Sequence, residues 1–390
     1  MITRYIQEDI LKDIKSKMIF VGGPRQVGKT TLAKMTAKEH FTNKSDYLNW
    51  DSSADRKLII TETFKAGIEI IIFDELHKFK NWKNYIKGIY DKNAPRLKII
   101  VTGSARLDIF RKGGDSLLGR YRYYRLHPLS VAEVSRKKNR IEPFKEFDFS
   151  NNESKEVFDR LLKFGGFPEI YFSKDESDLR RWHNERAERI VKEDIRDIER
   201  VSDLSALLVL VELLKTKVSS HLSINSLTED LKVSFKTVSS WIDILERFYY
   251  HFRVYPYQSK KIQALKKEAK LYLWDWSDVE DEPARLENIV ASHLLKLTHY
   301  LYDSKGYKTE LFYIRDKEQR ETDFLVTVNN NPWFSVEVKT KYKNISTPHK
   351  YFKEKLNIPF NYIVTTEKGI DHEKDGFRII SIEKFLSGMM

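Results

Sequence analysis

The sequence predicts an α/β protein built around a doubly wound parallel sheet, and three observations carry that prediction. GGPRQVGKTT, Gly22 to Thr31, fits the phosphate-binding pattern G-x-x-x-x-G-K-[ST] with Gly23, Gly28, Lys29 and Thr30 in register. The apolar run Met18 to Val21 precedes it as a short buried strand, and a helical pattern opens at Thr31. Two more apolar runs, Ile68 to Phe73 and Lys98 to Val101, end in Asp74-Glu75 and Thr102-Gly103-Ser104. Strands separated by helical stretches need crossover connections, which place helices on both faces of a parallel sheet.

In chain order, residues 1–17 read as a charged amphipathic helix with Ile6, Ile10 and Ile14 on one side. The phosphate loop follows, and Gly23 through Thr31 (Pro24, Arg25, Gln26, Val27, Gly28, Lys29 and Thr30 between them) are its candidate nucleotide contacts. Glycines let backbone N–H groups curl around a β-phosphate, Lys29 reaches the β and γ phosphates, and the Thr30 hydroxyl is a Mg2+ ligand. Tyr47 to Asp51 reads as a second strand. Asp74 and Glu75, ending the next apolar strand, make a Walker B pattern: Asp74 holds Mg2+ and Glu75 polarises the attacking water. Thr102 and Ser104 are sensor candidates for the γ-phosphate, against the plainer reading of a turn that favours Gly and Ser. Tyr121 to Leu126 alternates as a fifth strand.

Composition sets the outer limits. A chain of 390 residues, 41% hydrophobic and 13% aromatic, can bury real cores in two to four domains. It has no cysteine, which excludes disulfides and thiolate metal sites and suggests a reducing, cytoplasmic setting. Apolar runs are too short to span a bilayer, and no signal peptide precedes the first strand, so no membrane role is expected. The net charge of +12 is unevenly spread: residues 1–130 carry 25 Lys and Arg against 14 Asp and Glu, whereas residues 277–390 carry 17 against 18. A basic excess in the nucleotide-binding block fits DNA as an acidic partner, or simply a lysine-rich solvated surface.

The combination of GPRQVGKTT, Asp74-Glu75, Thr102-Gly103-Ser104, Gly119-Arg120 and Leu126-His127-Pro128-Leu129-Ser130 resembles the AAA-type ATPase core of a large prokaryotic family of ATP-binding proteins. The resemblance implies ATP and Mg2+ as cofactors and a homo-oligomer with ATP at its subunit interfaces. It also implies that Arg120 serves as an arginine finger at a neighbouring subunit's γ-phosphate, with Arg106, Arg111 and Arg122 as rivals. The family's helical lid carries a GGFPE turn, matched here by Gly165 to Glu169, so residues 131–203 are expected to be a charged, predominantly helical lid. Its Arg180 and Arg181 are second-sensor candidates that spacing does not separate.

Residues 204–276 read as a winged helix. A short helix, Leu222 to Leu231, is followed by a Val233-Ser234 turn and a longer helix with Val238, Trp241, Ile242, Leu245 and Phe248 on one stripe. Ser234, Lys236, Thr237 and Ser240 begin the second helix, where a helix-turn-helix approaches a DNA groove; such folds also make protein contacts.

The last block, residues 277–390, holds a second constellation. Asp323 starts one strand, and Glu337 and Lys339 share a face of the next, WFSVEVK. With Glu287 on the preceding helix, the order resembles the PD-(D/E)XK nuclease site. That resemblance implies a smaller α/β domain in which Glu287, Asp323 and Glu337 bind Mg2+, while Glu337 and Lys339 serve catalysis. Trp182, Trp241 and Trp333 offer stacking surfaces for bases, although buried core is their simpler role.

The expected protein is therefore an AAA-type P-loop ATPase (residues 1–130) with a helical lid, a winged helix and a nuclease-like domain that cuts or holds DNA, branched DNA included. The alternative is a nucleotide-operated regulatory or defence switch whose last domain binds a protein partner without cleavage. A nucleotide kinase would share the phosphate loop and leave the later domains unexplained.

Overall fold

A computed structural model describes residues 2–103, 117–150, 154–195, 203–257 and 268–390, without side-chain detail for 193 and 194. The apolar runs form five parallel strands: β1 (Met18–Gly22), β2 (Ser45–Asn49), β3 (Ile70–Asp74), β4 (Lys98–Thr102) and β5 (Tyr121–Arg125). Their order is β2-β3-β4-β1-β5. β1 and β3 are buried along their whole length, as strands covered on both faces must be. Met18, Phe20, Ile71, Phe73, Ile99 and Val101 pack under Ile59 of α3 (Ser53–Ile60) and Trp82, Ile86 and Ile89 of α4 (Trp82–Asn93). Helices α1 (Gln7–Asp13) and α2 (Lys29–His40) pack against β1, β3 and β4. The phosphate loop thus leaves the middle of a doubly wound sheet.

The chain divides into two compact units, residues 3–127 with 303–305, and residues 128–302 with 306–390. The second is built on an eight-stranded mixed sheet. Its strands are β6 (His251–Pro256), β7 (Lys270–Leu273), β8 (Thr309–Arg315), β9 (Glu321–Val328), β10 (Asn331–Lys339), β11 (Phe360–Thr365), β12 (Asp371–Lys374) and β13 (Phe377–Ser381). They are ordered β12-β13-β11-β10-β9-β8-β6-β7.

One boundary expected from the sequence is redrawn. A division at residue 276 would cut this sheet, because β6 pairs in parallel with β8 through Tyr255 and Phe312, and β7 pairs with β6. The backbone groups of that hairpin find partners in the last domain, which local sequence patterns do not reveal. The segment 131–203 is less helical than expected. After a short helix, Val131–Val134, it runs to residue 150 with no further helix. Its Phe147 and Phe149 pack on Trp333, Phe334, Tyr362 and Phe385, so the aromatic residues make it a strap on the second sheet. Helices Lys155–Phe164, Pro168–Ser173 and Glu176–Arg189 follow, then a π-turn, Ile190–Ile195.

The Gly165-Gly166 turn has a packing reason. A Cβ on Gly166 would stand 2.6 Å from the Trp276 ring and 2.7 Å from the Leu129 carbonyl oxygen. Three helices, Leu204–Lys215, Ile224–Leu231 and Phe235–Arg247, precede β6, and Val238, Trp241, Ile242 and Leu245 are buried as the stripe predicts. Ser234 caps the third, accepting from the Thr237 N–H at 3.1 Å. Trp182, Trp241 and Trp333 are all buried, which places them in cores and not on a base-stacking surface. No described helix is long and apolar enough to cross a membrane.

Candidate nucleotide-binding site

Three parallel strands deliver the site from one edge of the first sheet. At the end of β1 the chain turns through Gly23 at φ 144°, where a Cβ would lie 2.4 Å from the Leu126 carbonyl oxygen. Only glycine permits both that backbone and that approach. Gly28, at φ 98°, opens α2, and Gln26 takes a left-handed turn at φ 60°. Pro24 and Val27 are buried, Arg25 is half-buried and Gln26 is exposed, so the loop rests on its own apolar residues. Lys29 is buried, and its Nζ donates to the Gly23 oxygen at 3.0 Å and the Pro24 oxygen at 2.6 Å. Thr31 lies exposed on the first turn of α2.

Asp74 is the hub. Parallel register sets it level with Asn49 on β2 and Thr102 on β4. Its Oδ2 accepts from the Thr30 hydroxyl at 2.8 Å and from the Tyr47 hydroxyl at 2.8 Å, and its Oδ1 accepts from the Thr102 hydroxyl. Burial, followed by the charge of Asp74, pushes the Tyr47 phenol well above its usual range. Lys34 lies 3.5 Å above the Tyr47 ring, a cation–π contact.

Glu75 takes a left-handed backbone at φ 55°, and its N–H donates to the Thr102 oxygen at 3.0 Å. Burial raises the proton affinity of its carboxyl group, against the opposing pull of Lys29 and Lys78. His77 Nε2 stands 3.5 Å from Glu75 Oε2. Thr30 and Asp74 are hard oxygen donors brought together at a phosphate loop, a set that fits Mg2+.

The second constellation, in the second compact unit, is arranged differently. Lys270, on β7 and almost wholly buried, places its Nζ 2.8 Å from Glu321 Oε1, 3.3 Å from Glu287 Oε1 and 3.7 Å from Asp323 Oδ1. The Tyr272 hydroxyl donates to Glu287 Oε1 at 2.6 Å, and the Val338 N–H donates to Asp323 Oδ2 at 2.9 Å. Glu337 is paired with Lys339 at 2.7 Å and His349 at 3.0 Å, and accepts from the Ser346 hydroxyl at 2.6 Å. Burial and the neighbouring Glu287 push Asp323 up to about 7, whereas His349 and Lys339 outweigh burial and hold Glu337 down at about 2.

The expected metal set does not come together in the structure. Among the described residues, no three His, Asp or Glu side chains stand in a metal-holding arrangement, and Glu287, Asp323 and Glu337 are no exception. The Lys270 ammonium stands among Glu287, Glu321 and Asp323, and the residues as arranged do not fit a divalent metal.

Comparison with known proteins bears directly on the first site. Residues 15–135 match the model of an AAA domain. This part of the chain is similar to AAA domains. Residues 155–277 and 284–385 match two domains of unknown function, DUF8612 and DUF4143. Over 85% of its length the chain is 24% identical to the uncharacterized protein MJ1544 of Methanocaldococcus jannaschii, covering 77% of it. It is also 24% identical to an uncharacterized protein of Haemophilus influenzae, covering 86% of this chain and 89% of the relative. Among solved structures, AMPPCP-bound DnaA from Aquifex aeolicus matches 62% of this chain and 86% of its own at 15% identity and a TM-score of 0.33. The RuvB Holliday junction branch migration motor of Thermotoga maritima matches 68% and 96% at 17% identity and a TM-score of 0.32.

Within the AAA domain the candidate arginines separate. Arg120 lies at the start of β5, beside Met18 and so at the opposite end of the sheet from the phosphate loop, where its guanidinium grips Asp91 of α4 at 2.8 and 3.1 Å. It takes no part in its own chain's site. Arg122 is exposed and lies 3.5 Å from Asp13, and Arg181 lies 3.9 Å from Asp178. Ser104, Arg106 and Arg111 lie outside the described residues.

Three residues of the AAA domain escaped sequence reasoning. Arg4 is buried and donates to the Val27 oxygen at 2.8 Å and to the His127 oxygen, bracing the crest of the loop. Tyr47 joins Asp74, and His77 stands beside Glu75. For Arg4 no local signal existed; for Tyr47 the signal was alternation along β2, which puts it on the face turned toward α2.

Proposed function

We propose that this protein is a Mg2+-dependent ATPase that uses its nucleotide cycle to act on DNA, with its last domain holding the nucleic acid. The observation that carries the reading is the convergence of Lys29, Thr30, Asp74, Glu75 and Thr102 at the carboxyl ends of β1, β3 and β4. The loop N–H groups and the Lys29 ammonium bind the β and γ phosphates, and the ammonium exchanges the Gly23 and Pro24 carbonyls for phosphate oxygens. Thr30 and Asp74 would hold Mg2+, which when bound supplies charge neutralisation at the transferring phosphoryl group. Glu75 orients the attacking water and accepts its proton; burial, by raising its proton affinity, makes it a stronger base. Thr102 fixes the Asp74 carboxylate from the neighbouring strand. Arg120 of an adjacent copy would complete a homo-oligomeric site after releasing Asp91.

Action on DNA rests on the basic excess of residues 1–130, because phosphate neutralisation by Lys and Arg supplies sequence-independent affinity. The helices preceding β6 would add a winged-helix contact. The test measures ATP hydrolysis by the intact protein and by Lys29→Ala, with and without linear, single-stranded and four-way-branched DNA, across a salt series. The expected result is Lys29-dependent hydrolysis stimulated by DNA, with DNA affinity falling by roughly a hundredfold between about 50 and 200 mM salt. Hydrolysis indifferent to DNA at every salt concentration would overturn the DNA reading and leave the protein-partner switch. One observation favours that second reading: Lys270 sits among the carboxylates expected to cleave.

A further inference from the structure

We propose that the Lys270 ammonium is the resident cation of the last domain, standing where a divalent ion would otherwise neutralise Glu287, Glu321 and Asp323, and that this domain works without a divalent metal. The inference stands independently of the ATPase reading and uses none of the residues of the nucleotide site.

Geometry supports it from three directions. First, the ammonium sits among three carboxylates: Lys270 Nζ lies within hydrogen-bond distance of Glu321 at 2.8 Å and Glu287 at 3.3 Å, and pairs by charge with Asp323 at 3.7 Å. A Mg2+ ion would need oxygens at about 2.0–2.1 Å in octahedral array, so the carboxylates would have to close on a smaller, doubly charged centre. Second, Lys270 has nowhere else to go. It is 3% exposed, and its strand is held by β6 through Val254 and by an isolated bridge to His221. A divalent ion entering beside it would meet a buried ammonium within a few ångströms, a like-charge contact that a low-dielectric site penalises heavily.

Third, other carboxylate oxygens of the cluster are already engaged by the protein. Glu321 Oε2 faces His221 Nε2 at 3.2 Å, Asp323 Oδ2 accepts the Val338 N–H, and both Glu337 oxygens are paired. On these sides the cluster is filled by the chain's own cations and donors. A cleft of about 370 Å³ opens beside it, lined by Ser219, Asp281, Glu287, Lys339 and Thr340. Ligands reaching that cleft meet Glu287 and Lys339 directly, with no metal between.

The test uses Mn2+ as the probe, in the full chain carrying Asp74→Asn so that the nucleotide site does not contribute, and without ATP. Bound Mn2+ is read by electron paramagnetic resonance and by thermal shift. The proposal expects no Mn2+ site sensitive to Asp323→Asn in the Lys270 protein, and a new one in Lys270→Ala that binds at least about tenfold tighter than any Mn2+ uptake by the Lys270 protein. Removing Lys270 leaves half-buried carboxylates uncompensated, so this variant is expected to unfold at lower temperature and to be rescued by Mn2+, a shift that Lys270 protein lacks. If Lys270→Ala does not fold even with Mn2+, the Lys270 protein alone decides. Mn2+ bound there and lost on Asp323→Asn overturns the proposal, as does a folded Lys270→Ala that gains no Mn2+ site; absence of an Asp323-sensitive site upholds it.

Discussion

The Tyr47 hydroxyl lies 2.8 Å from Asp74 Oδ2, the same oxygen that accepts from Thr30. An edge strand therefore reaches across β3 to fix the carboxylate on which a Mg2+ site depends. Tyr47→Phe keeps the ring beneath Lys34 and removes only this donor. The variant should fold with a loss of about 1 kcal/mol and should need more Mg2+ for half-maximal ATP hydrolysis, measured by Mg2+ titration at fixed ATP. An unchanged Mg2+ requirement would show that Tyr47 does not position Asp74.

Lys29 and Glu75 should separate binding from chemistry. Lys29→Ala removes the phosphate-facing ammonium and should abolish binding of a fluorescent ATP analogue. Glu75→Gln keeps the side chain's size but removes the base, so it should bind the analogue and hydrolyse ATP at least about a hundredfold more slowly. Single-turnover kinetics beside equilibrium binding give both readouts.

Gly23→Ala should be destabilising without touching any catalytic atom. The added methyl would lie 2.4 Å from the Leu126 oxygen at a backbone φ of 144°. Relieving that contact should cost about 1–3 kcal/mol, seen as a lower urea midpoint, together with weaker nucleotide binding because the loop must shift.

Acid should destabilise the second unit through two buried histidines. His293 donates through Nδ1 to the Ile289 oxygen at 2.8 Å and accepts the Val131 N–H through Nε2 at 3.2 Å, so the neutral ring is fully used and a second proton would break the latter bond. Burial, followed by Lys296, lowers it to about 3, and burial lowers His251 to about 4. Both folded values lie below the unfolded value near 6.5, so the unfolded chain binds more protons between about pH 6.5 and 4. Stability is constant above that window on their account, and falls by about 1.4 kcal/mol per pH unit per histidine as pH drops through it. His293→Gln should be less stable at pH 7.5 yet show a shallower acid slope in urea unfolding.

Much of the AAA domain was legible because its signals are local. Strand β1, the phosphate loop and α2 occupy consecutive residues, and glycine at positions 23 and 28 reports backbone angles that few other residues tolerate. Asp74 and Thr102 could be read as strand ends, and parallel register then brought them together. The last domain was less legible for the opposite reason. Asp323, Glu337 and Lys339 were visible as a spacing, but Lys270, whose ammonium faces Asp323, stands 53 residues before it in the chain, on a strand assigned by the sequence to another domain.

What the sequence alone determined was a phosphate-binding loop in a parallel α/β sheet, since spacing, backbone permissiveness and strand burial are properties of neighbouring residues. The tertiary structure alone decided which charges meet. Strand β7 carries Lys270 to the carboxylates of the helix Glu282–Lys305 and β9, and Tyr47 reaches Asp74 from an edge strand. Electrostatic contacts depend on distances of a few ångströms between residues far apart in the chain, and only the folded arrangement of strands fixes those distances.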